Sequence, residues 1–417
     1  MADVRAVAGG RGGRADIAPV EGGVTAPRGF SAGAVHCGIK PSPAALDLAV
    51  LAADAPASAA ALFTTNLVQA APVTVSRQHI DRTRGVARAV VVNSGCANAC
   101  TGAQGTVHAK QMATETAVAL GCAPEEVLVA STGVIGVTLR IDRVVNGIRA
   151  AAARLAPGGG VEAARAIMTT DPFPKEHAVT VSTPRGRFTV GGMAKGSGMI
   201  EPNMATMLGF LTTDAEVPPA LLRRALLLSA RDTFNAITVD GECSTNDSLF
   251  AFASGKSGVA IDEDAYPALV DGLLAVSREL AVGIVRGGEG ATKVIAVTVA
   301  DARSVDEARQ VARTIANSPL VKTAVHGADP NWGRIVAAAG RSGAAFDVNR
   351  LTVRVGGTLL FEDGLPHDES APLAAKHLEG KNVRIDVSLG TGGGLSAVIW
   401  TCDLSAEYVR INGEYRT

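Results

Sequence analysis

The stretch that most constrains this chain runs from Gly191 to Ala215 and reads GGMAKGSGMIEPNMATMLGFLTTDA. Glycines at 191, 192, 196 and 198 admit backbone conformations closed to other residues, so the polar approach from Lys195 to Asn203 can wrap closely and expose its amides. An apolar run follows, in which Met204, Leu208, Phe210 and Leu211 read as a short buried strand. Thr206 stands at the junction. A threonine at the head of a buried strand is either an ordinary β-branched sheet residue or a rigidly held reactive hydroxyl.

The whole chain sets the scale. Its 417 residues exceed the usual size of one domain, so two lobes or one large layered unit both fit. With 47% hydrophobic and 19% charged residues and a net charge of -1, neither nucleic acid nor an anionic membrane surface is an expected partner. The six cysteines (Cys37, Cys96, Cys100, Cys122, Cys243 and Cys402) contain no CxxC pair and read as reduced thiols. Residues 1–21 carry arginines and glycines without a signal-peptide core, and no apolar run is long enough to cross a bilayer. A flexible leader on a soluble, cytoplasmic protein is the expectation.

In chain order, short β-rich runs at 46–52, 61–65 and 72–76 are separated by turn residues. A buried strand, Ala89 to Val92, meets the polar turn NSGCANAC, whose Asn93 and Asn98 either tie down their own backbone or face a ligand. A helix from His108 to Leu120 stops at Gly121, and a strand from Val127 to Ala130 runs into Ser131-Thr132-Gly133. A hydroxyl and a glycine amide at a strand end suit a developing oxyanion, although such a tripeptide is also a common turn. Helices over 141–155 and 161–168 deliver Thr169-Thr170-Asp171, and a hairpin turns at Pro184-Arg185-Gly186.

Beyond the junction, a helix over 217–232 precedes TVDGECSTNDS, which gathers Asp240, Glu242, Asn246 and Asp247. Without a histidine or the ligand alternation of a calcium loop, these read as a hydrogen-bonded polar lining, with a metal as the lesser option. A long helix, 266–285, ends at Arg286-Gly-Gly-Glu289-Gly. Ser304 and Glu307 form a capping box for the next helix, and strands at 351–355 and 358–361 lead to a tail that closes the sheet. Gly390 to Gly394 has no phosphate-binding helix after it, so a nucleotide site is declined.

The segment KGSGMIEPNMATML resembles the self-cleavage site of the ornithine acetyltransferase (ArgJ) family, and further motifs recur in order from about Gly22 to Thr417. The chain departs from the family pattern at Cys96 and at Pro172. The resemblance implies that the precursor breaks its own Ala205-Thr206 bond. It implies a leader (1–21), an alpha chain (22–205) and a beta chain (206–417) interlocked in an α+β, layered, aminohydrolase-like sandwich of the DmpA/ArgJ type. Two such pairs would form an alpha2beta2 heterotetramer.

The freed amine of Thr206 would serve as base for its own hydroxyl. On the same resemblance Thr132 and Gly133 hold the oxyanion, and Thr169, Thr170, Lys195, Thr206, Glu289, Asn412 and Thr417 bind substrate. Because the amine supplies the base, His326 and Asp329 are not read as a triad. The implied reaction moves acetyl from N2-acetyl-L-ornithine to L-glutamate without metal or redox cofactor, and leaves open whether acetyl-CoA is a second donor. A related self-processed aminopeptidase, handing the acyl group to water, is the alternative.

Overall fold

The computed structural model describes residues 15–201 and 207–414. Its first sheet is built from β1 (Asp16–Val20), β2 (Phe30–Val35), β3 (Leu48–Phe63), β4 (Val86–Cys96), β5 (Val127–Val134), β6 (Lys175–Thr183), β7 (Gly186–Lys195), β8 (Leu208–Thr213) and β9 (Ser248–Ala253). These pair in the order β1-β6-β7-β8-β9-β3-β4-β5, with β2 alongside β3. The β4–β5 and β8–β9 pairs are parallel.

Strand β3 explains the shape. Its first half pairs with β2 and β4, and its second half pairs with β9. Between them Asp54, Ala55 and Pro56 are exposed, and the β3–β4 register shifts between Ala52 and Ala57. Proline donates no ladder hydrogen bond, and a bulge bends its strand, so the sheet turns over there. Two leaves result, each buried on both faces.

The alternation of side chains shows the layers. Ala49, Leu51, Val90, Val92, Leu128 and Ala130 meet Met193, Leu208, Phe210, Phe250 and Phe252 in the core between the leaves. The opposite face of the first leaf, with Leu48, Val50, Val91 and Val129, packs under α1 (Ala71–Arg82), α2 (Gly102–Leu120) and α3 (Ile141–Ala152). α4 (Gly160–Ala166) packs against β2 instead. The opposite face of the second leaf, with Val190, Leu211 and Leu249, packs under α5 (Pro219–Arg231) and α6 (Tyr266–Arg286). Period-two burial on both faces thus yields helix, sheet, sheet and helix layers. At the centre Phe210 stacks on Phe250 with centroids 5.6 Å apart, and removing either ring costs about 3–5 kcal/mol. β8 is therefore firmly seated.

A second sheet holds β10 (Val294–Ala302), β11 (Thr352–Val355), β12 (Thr358–Glu362), β13 (Leu365–Pro366), β14 (Asn382–Ser388) and β15 (Leu395–Cys402), in the order β13-β12-β11-β14-β10-β15. α7 (Val305–Ala316) covers β10 and β15. α8 (Pro319–His326), α9 (Trp332–Gly340) and α10 (Ala371–Leu378) follow, and α11 (Ala406–Glu414) returns toward the first sheet, where Asn412 reaches Glu289.

Several local expectations change. The runs at 46–52 and 61–65 are the two ends of β3, and 72–76 lies inside α1. Pro72 occupies the first turn of that helix, where a missing amide removes no hydrogen bond. The strand expected to stop at Val92 continues to Cys96, because β5 runs beside it in parallel. The tail closes the second sheet, with β15 at its edge. Within the expected leader, Asp16–Val20 form β1 against β6, while 1–14 lie outside the described residues. Ser304 accepts from the Glu307 amide at 3.0 Å, but the Glu307 carboxylate accepts from Arg303 rather than completing the box. Among the described residues, no helix is long and apolar enough to cross a membrane.

Candidate active site

The ends of β4 and β5 make the first wall. Gly133 has φ +127°, and a Cβ there would lie 2.4 Å from the Gly95 carbonyl carbon, so only glycine lets the parallel strands approach. Asn93 and Asn98 are fully buried. Asn93 accepts from the Ser131 hydroxyl at 2.6 Å and donates to the Cys96 carbonyl at 2.9 Å, and Asn98 donates to the Gly105 carbonyl. Both asparagines serve the backbone, as one of the two sequence readings held. Asn246 donates to the carbonyls of Ala97 and Ser131, tying the polar loop after α5 to the same wall.

The second wall comes from the segment joining α4 to β6 and from the end of β7. Asp171 is buried and accepts from the Lys175 ammonium at 2.6 Å, the Gly196 amide at 2.8 Å and the Thr169 amide at 3.0 Å. Burial alone would raise its pKa, but the charges of Lys195 and Lys175 and these hydrogen bonds overcome it and hold the carboxyl at about 2. Burial lowers the pKa of Lys175 in spite of Asp171. Lys195, itself buried, donates from Nζ to Thr132 Oγ1 at 3.2 Å and so joins the two walls.

Glu289 closes the site from the turn after α6. Its Oε1 accepts from the Thr170 hydroxyl at 2.7 Å and its Oε2 from Asn412 Nδ2 at 2.8 Å. Its amide donates to the Ser197 carbonyl. The approach to the junction is fastened too: Asp240 accepts from the amides of Met199 and Ile200 at 2.7 and 2.8 Å, and from Tyr408 Oη at 3.3 Å. Burial, followed by the charge of Asp240, raises the Tyr408 pKa.

These walls enclose a cleft of about 150 Å³. Thr132, Gly133, Thr169 and Thr170 line it, and so do Lys195, Glu289 and Asn412. Three sequence-predicted positions, Ala205, Thr206 and Thr417, lie outside the described residues, but Met207, bonded to Thr206, is on the lining. The polar loop contributes Asp240, Glu242, Asn246 and Asp247, as read from the sequence. Among the described residues no three His, Cys, Asp or Glu side chains converge as metal ligands.

Sequence reasoning missed Lys175 and Tyr408, and it named Asp171 only as the end of the Thr169-Thr170-Asp171 segment, without its ion pair. The four-residue spacing of Asp171 and Lys175 was a signal for an ion pair, but not for its burial. Tyr408 stands one helical turn before Asn412 on α11, so the two share a face. The cleft is thus lined by a cation, Lys195, beside the Thr132 hydroxyl and Gly133, and by the carboxyl groups of Asp240, Glu242, Asp247 and Glu289.

A family model described as the ArgJ family matches residues 31–417. The chain is 50% identical over 402 residues to the arginine biosynthesis bifunctional protein ArgJ of Symbiobacterium thermophilum, covering 95% of this chain and 99% of that one. It is 48% identical over 406 residues to the protein of the same description from Dehalococcoides mccartyi, covering 96% and 99%. Among solved structures, ArgJ from Bacillus halodurans is 42% identical with a TM-score of 0.43, covering 46% of this chain and 99% of that chain. An ornithine acetyltransferase complexed with ornithine, from Mycobacterium tuberculosis, is 43% identical with a TM-score of 0.42, covering 46% and 100%.

Proposed function

The chain belongs to the ArgJ family, and from that membership we propose that it is an acetyltransferase of arginine biosynthesis, moving acetyl from N2-acetyl-L-ornithine to L-glutamate. The precursor cuts its own Ala205-Thr206 bond, and the freed Thr206 is the nucleophile. One convergence carries the reading: Thr132, Gly133, Lys195 and Glu289 line a single cleft together with Met207, the residue bonded to Thr206.

The steps follow from the groups available. Thr206 Oγ attacks the acetyl carbonyl while its own α-amine takes the hydroxyl proton. Thr132 and Gly133 stabilise the oxyanion, with Lys195 against the Thr132 hydroxyl. The carbon–nitrogen bond breaks and ornithine leaves with that proton. The amine of glutamate then attacks the acetyl ester and restores Thr206, a ping-pong sequence that needs no metal or redox cofactor. Lys195 offers a partner for a substrate carboxylate. Glu289, held by Thr170 and Asn412, offers one for an amino group.

The cut leaves two interlocked chains. β8 and β9 of the beta chain pair with each other and are flanked by β7 and β3 of the alpha chain, so neither product can depart without opening the sheet. Two such pairs form an alpha2beta2 heterotetramer in the cytoplasm. Acetyl-CoA is a second donor for glutamate, in keeping with the bifunctional description of the relatives.

The Thr206→Ala variant tests the core of this reading. It should run as one uncut chain on a denaturing gel and transfer no acetyl, where the unaltered protein gives two chains. Two bands from the variant would overturn the assignment. Release of acetate that ignores glutamate would favour hydrolysis, and acetylation of glutamate from acetyl-CoA tests the second activity directly.

A further inference from the structure

α11 contributes to the cleft wall without belonging to the core. None of its residues is buried, and only Tyr408 and Ile411 are half-buried. Val409 is 68% exposed, and Arg410 pairs with Glu407 and Glu414 of the same helix. A helix this short is marginal in water on its own, and little apolar burial supports this one. Polar contacts to the body therefore set where it sits.

Three side-chain hydrogen bonds to other elements do this among the described residues. Ser405, just before the helix, donates to the Gly290 carbonyl at 2.6 Å. Asn412 Nδ2 donates to Glu289 Oε2 at 2.8 Å and, with its other proton, to the Tyr408 carbonyl at 3.1 Å. Tyr408 Oη donates to Asp240 Oδ2 at 3.3 Å. A Cβ on Gly290 would lie 2.4 Å from the Tyr408 amide nitrogen, so the turn that carries Glu289 packs directly against the first turn of α11. Two carboxylates of the cleft lining, one after α5 and one after α6, are thus joined to one face of a single helix by side chains four residues apart.

We infer that Tyr408 is a positioning residue for substrate binding: its hydroxyl, anchored on Asp240, seats α11 so that Asn412 holds Glu289 in the orientation that meets the substrate's amino group. The inference rests on the reading of Glu289 as the partner of that group. Asp240 is a fixed anchor, because it also accepts from the amides of Met199 and Ile200 at 2.7 and 2.8 Å. Glu289 is gripped from one side by Thr170 and, among the described residues, from the other only by Asn412 of α11. Removing the Tyr408 hydroxyl leaves Asp240 both amides and leaves the aromatic ring in place, so the fold is kept. What is lost is the link between this turn of α11 and the loop after α5, and with it the fixed aim of the Glu289 carboxylate.

The test compares the full chain with Tyr408→Phe, Glu289→Gln and the double variant. Trypsin should cut after Arg410 about 3–10-fold faster in Tyr408→Phe, because cleavage follows the population of the opened helix and one hydrogen bond to a carboxylate has been removed. Mass spectrometry reads this from the peptide that begins at Ile411, with no reference to activity. KM for acetylornithine should rise about 3–10-fold while kcat stays within about twofold, a split that general loosening of the fold would not give. In the Glu289→Gln background the same substitution should change KM by less than about twofold. An unchanged cutting rate, faster cutting at unchanged KM, or the full KM effect in the Glu289→Gln background would each overturn the inference. Glu289→Gln alone separates the two readings. An unchanged KM there sinks the amino-group role of Glu289, whereas a raised KM there together with indifference at Tyr408→Phe sinks the present inference alone.

Discussion

Lys195 Nζ and Thr132 Oγ1 meet at 3.2 Å although 63 residues separate them. One belongs to the end of β7, in the second leaf, and the other to β5, in the first. Their contact therefore exists only because β3 turns the sheet over on itself, which ties the bend at Asp54–Pro56 to the chemistry. Lys195 in turn lies close enough to Asp171 for its charge to lower the carboxyl's pKa. A single chain of contacts thus runs from a buried ion pair to the hydroxyl assigned to the oxyanion.

Thr132 supplies the first expectation. Replacing it with alanine removes a hydroxyl from the wall while β5 keeps its backbone pairing. Losing one oxyanion donor lowers kcat by roughly 10²–10³-fold, with little change in KM for acetylornithine. Thr132→Ser, which keeps the hydroxyl, should recover most of that loss. Steady-state kinetics on the three proteins checks it, and a raised KM at unchanged kcat would move Thr132 from catalysis to binding.

Asp171 and Lys175 set the stability of the same wall. Asp171→Asn leaves Lys175 buried opposite a neutral amide, and breaking a buried pair costs about 3–5 kcal/mol. The pH dependence has a definite sign. A carboxyl held at about 2 when folded, against about 3.9 in an unfolded chain, contributes its full stability above pH 4 and loses it as the pH falls toward 2. The gap between the unaltered protein and Asp171→Asn should therefore be widest at neutral pH and narrow in that acid window. Urea titrations at a series of pH values measure it, and a gap that is constant between pH 5 and 2 would rule out the linkage.

Much of this architecture could be read from the sequence where local rules decide the outcome. α2 ends where Gly121 takes φ +66°, and α6, the long helix expected at 266–285, buries Leu269, Leu273, Val276, Leu280 and Ile284 along one side. The motifs carried Thr132, Gly133, Thr169, Thr170, Lys195, Glu289 and Asn412 to one cleft. β3 failed because Asp54-Ala55-Pro56 looks like a break between strands, and only the pairing partners reveal a bend within one. α1 failed because Pro72 and two valines read as a strand until the proline is seen in a first turn. Burial of Asp171 depends on residues far apart in the chain, so no local pattern announces it.

Glu289 gives the binding counterpart to Thr132. Glu289→Gln keeps one acceptor for Thr170 or Asn412 but removes the charge and the second acceptor. Charge-assisted hydrogen bonds contribute about 1.5–3 kcal/mol, which predicts a KM for acetylornithine raised roughly 10–100-fold and a smaller change in kcat. Michaelis curves with ornithine-derived and glutamate substrates check it. A fall in kcat at constant KM would contradict the amino-group role.

Gly198 reaches the same carboxylate from the other side. A Cβ on it would lie 2.3 Å from Glu289 Oε2 and 2.8 Å from Oε1. What it meets is the tip of a flexible side chain, so in Gly198→Ala the carboxylate moves and the fold stays. Glu289 would then leave the grip of Thr170 and Asn412, and KM should rise much as it does in Glu289→Gln while the thermal midpoint changes little. Because both substitutions act through one group, their effects should not add: the double variant should be within about threefold of the worse single one. A double-mutant cycle in KM measures this coupling, and simple additivity would mean that Gly198 affects the cleft by a route that does not pass through Glu289.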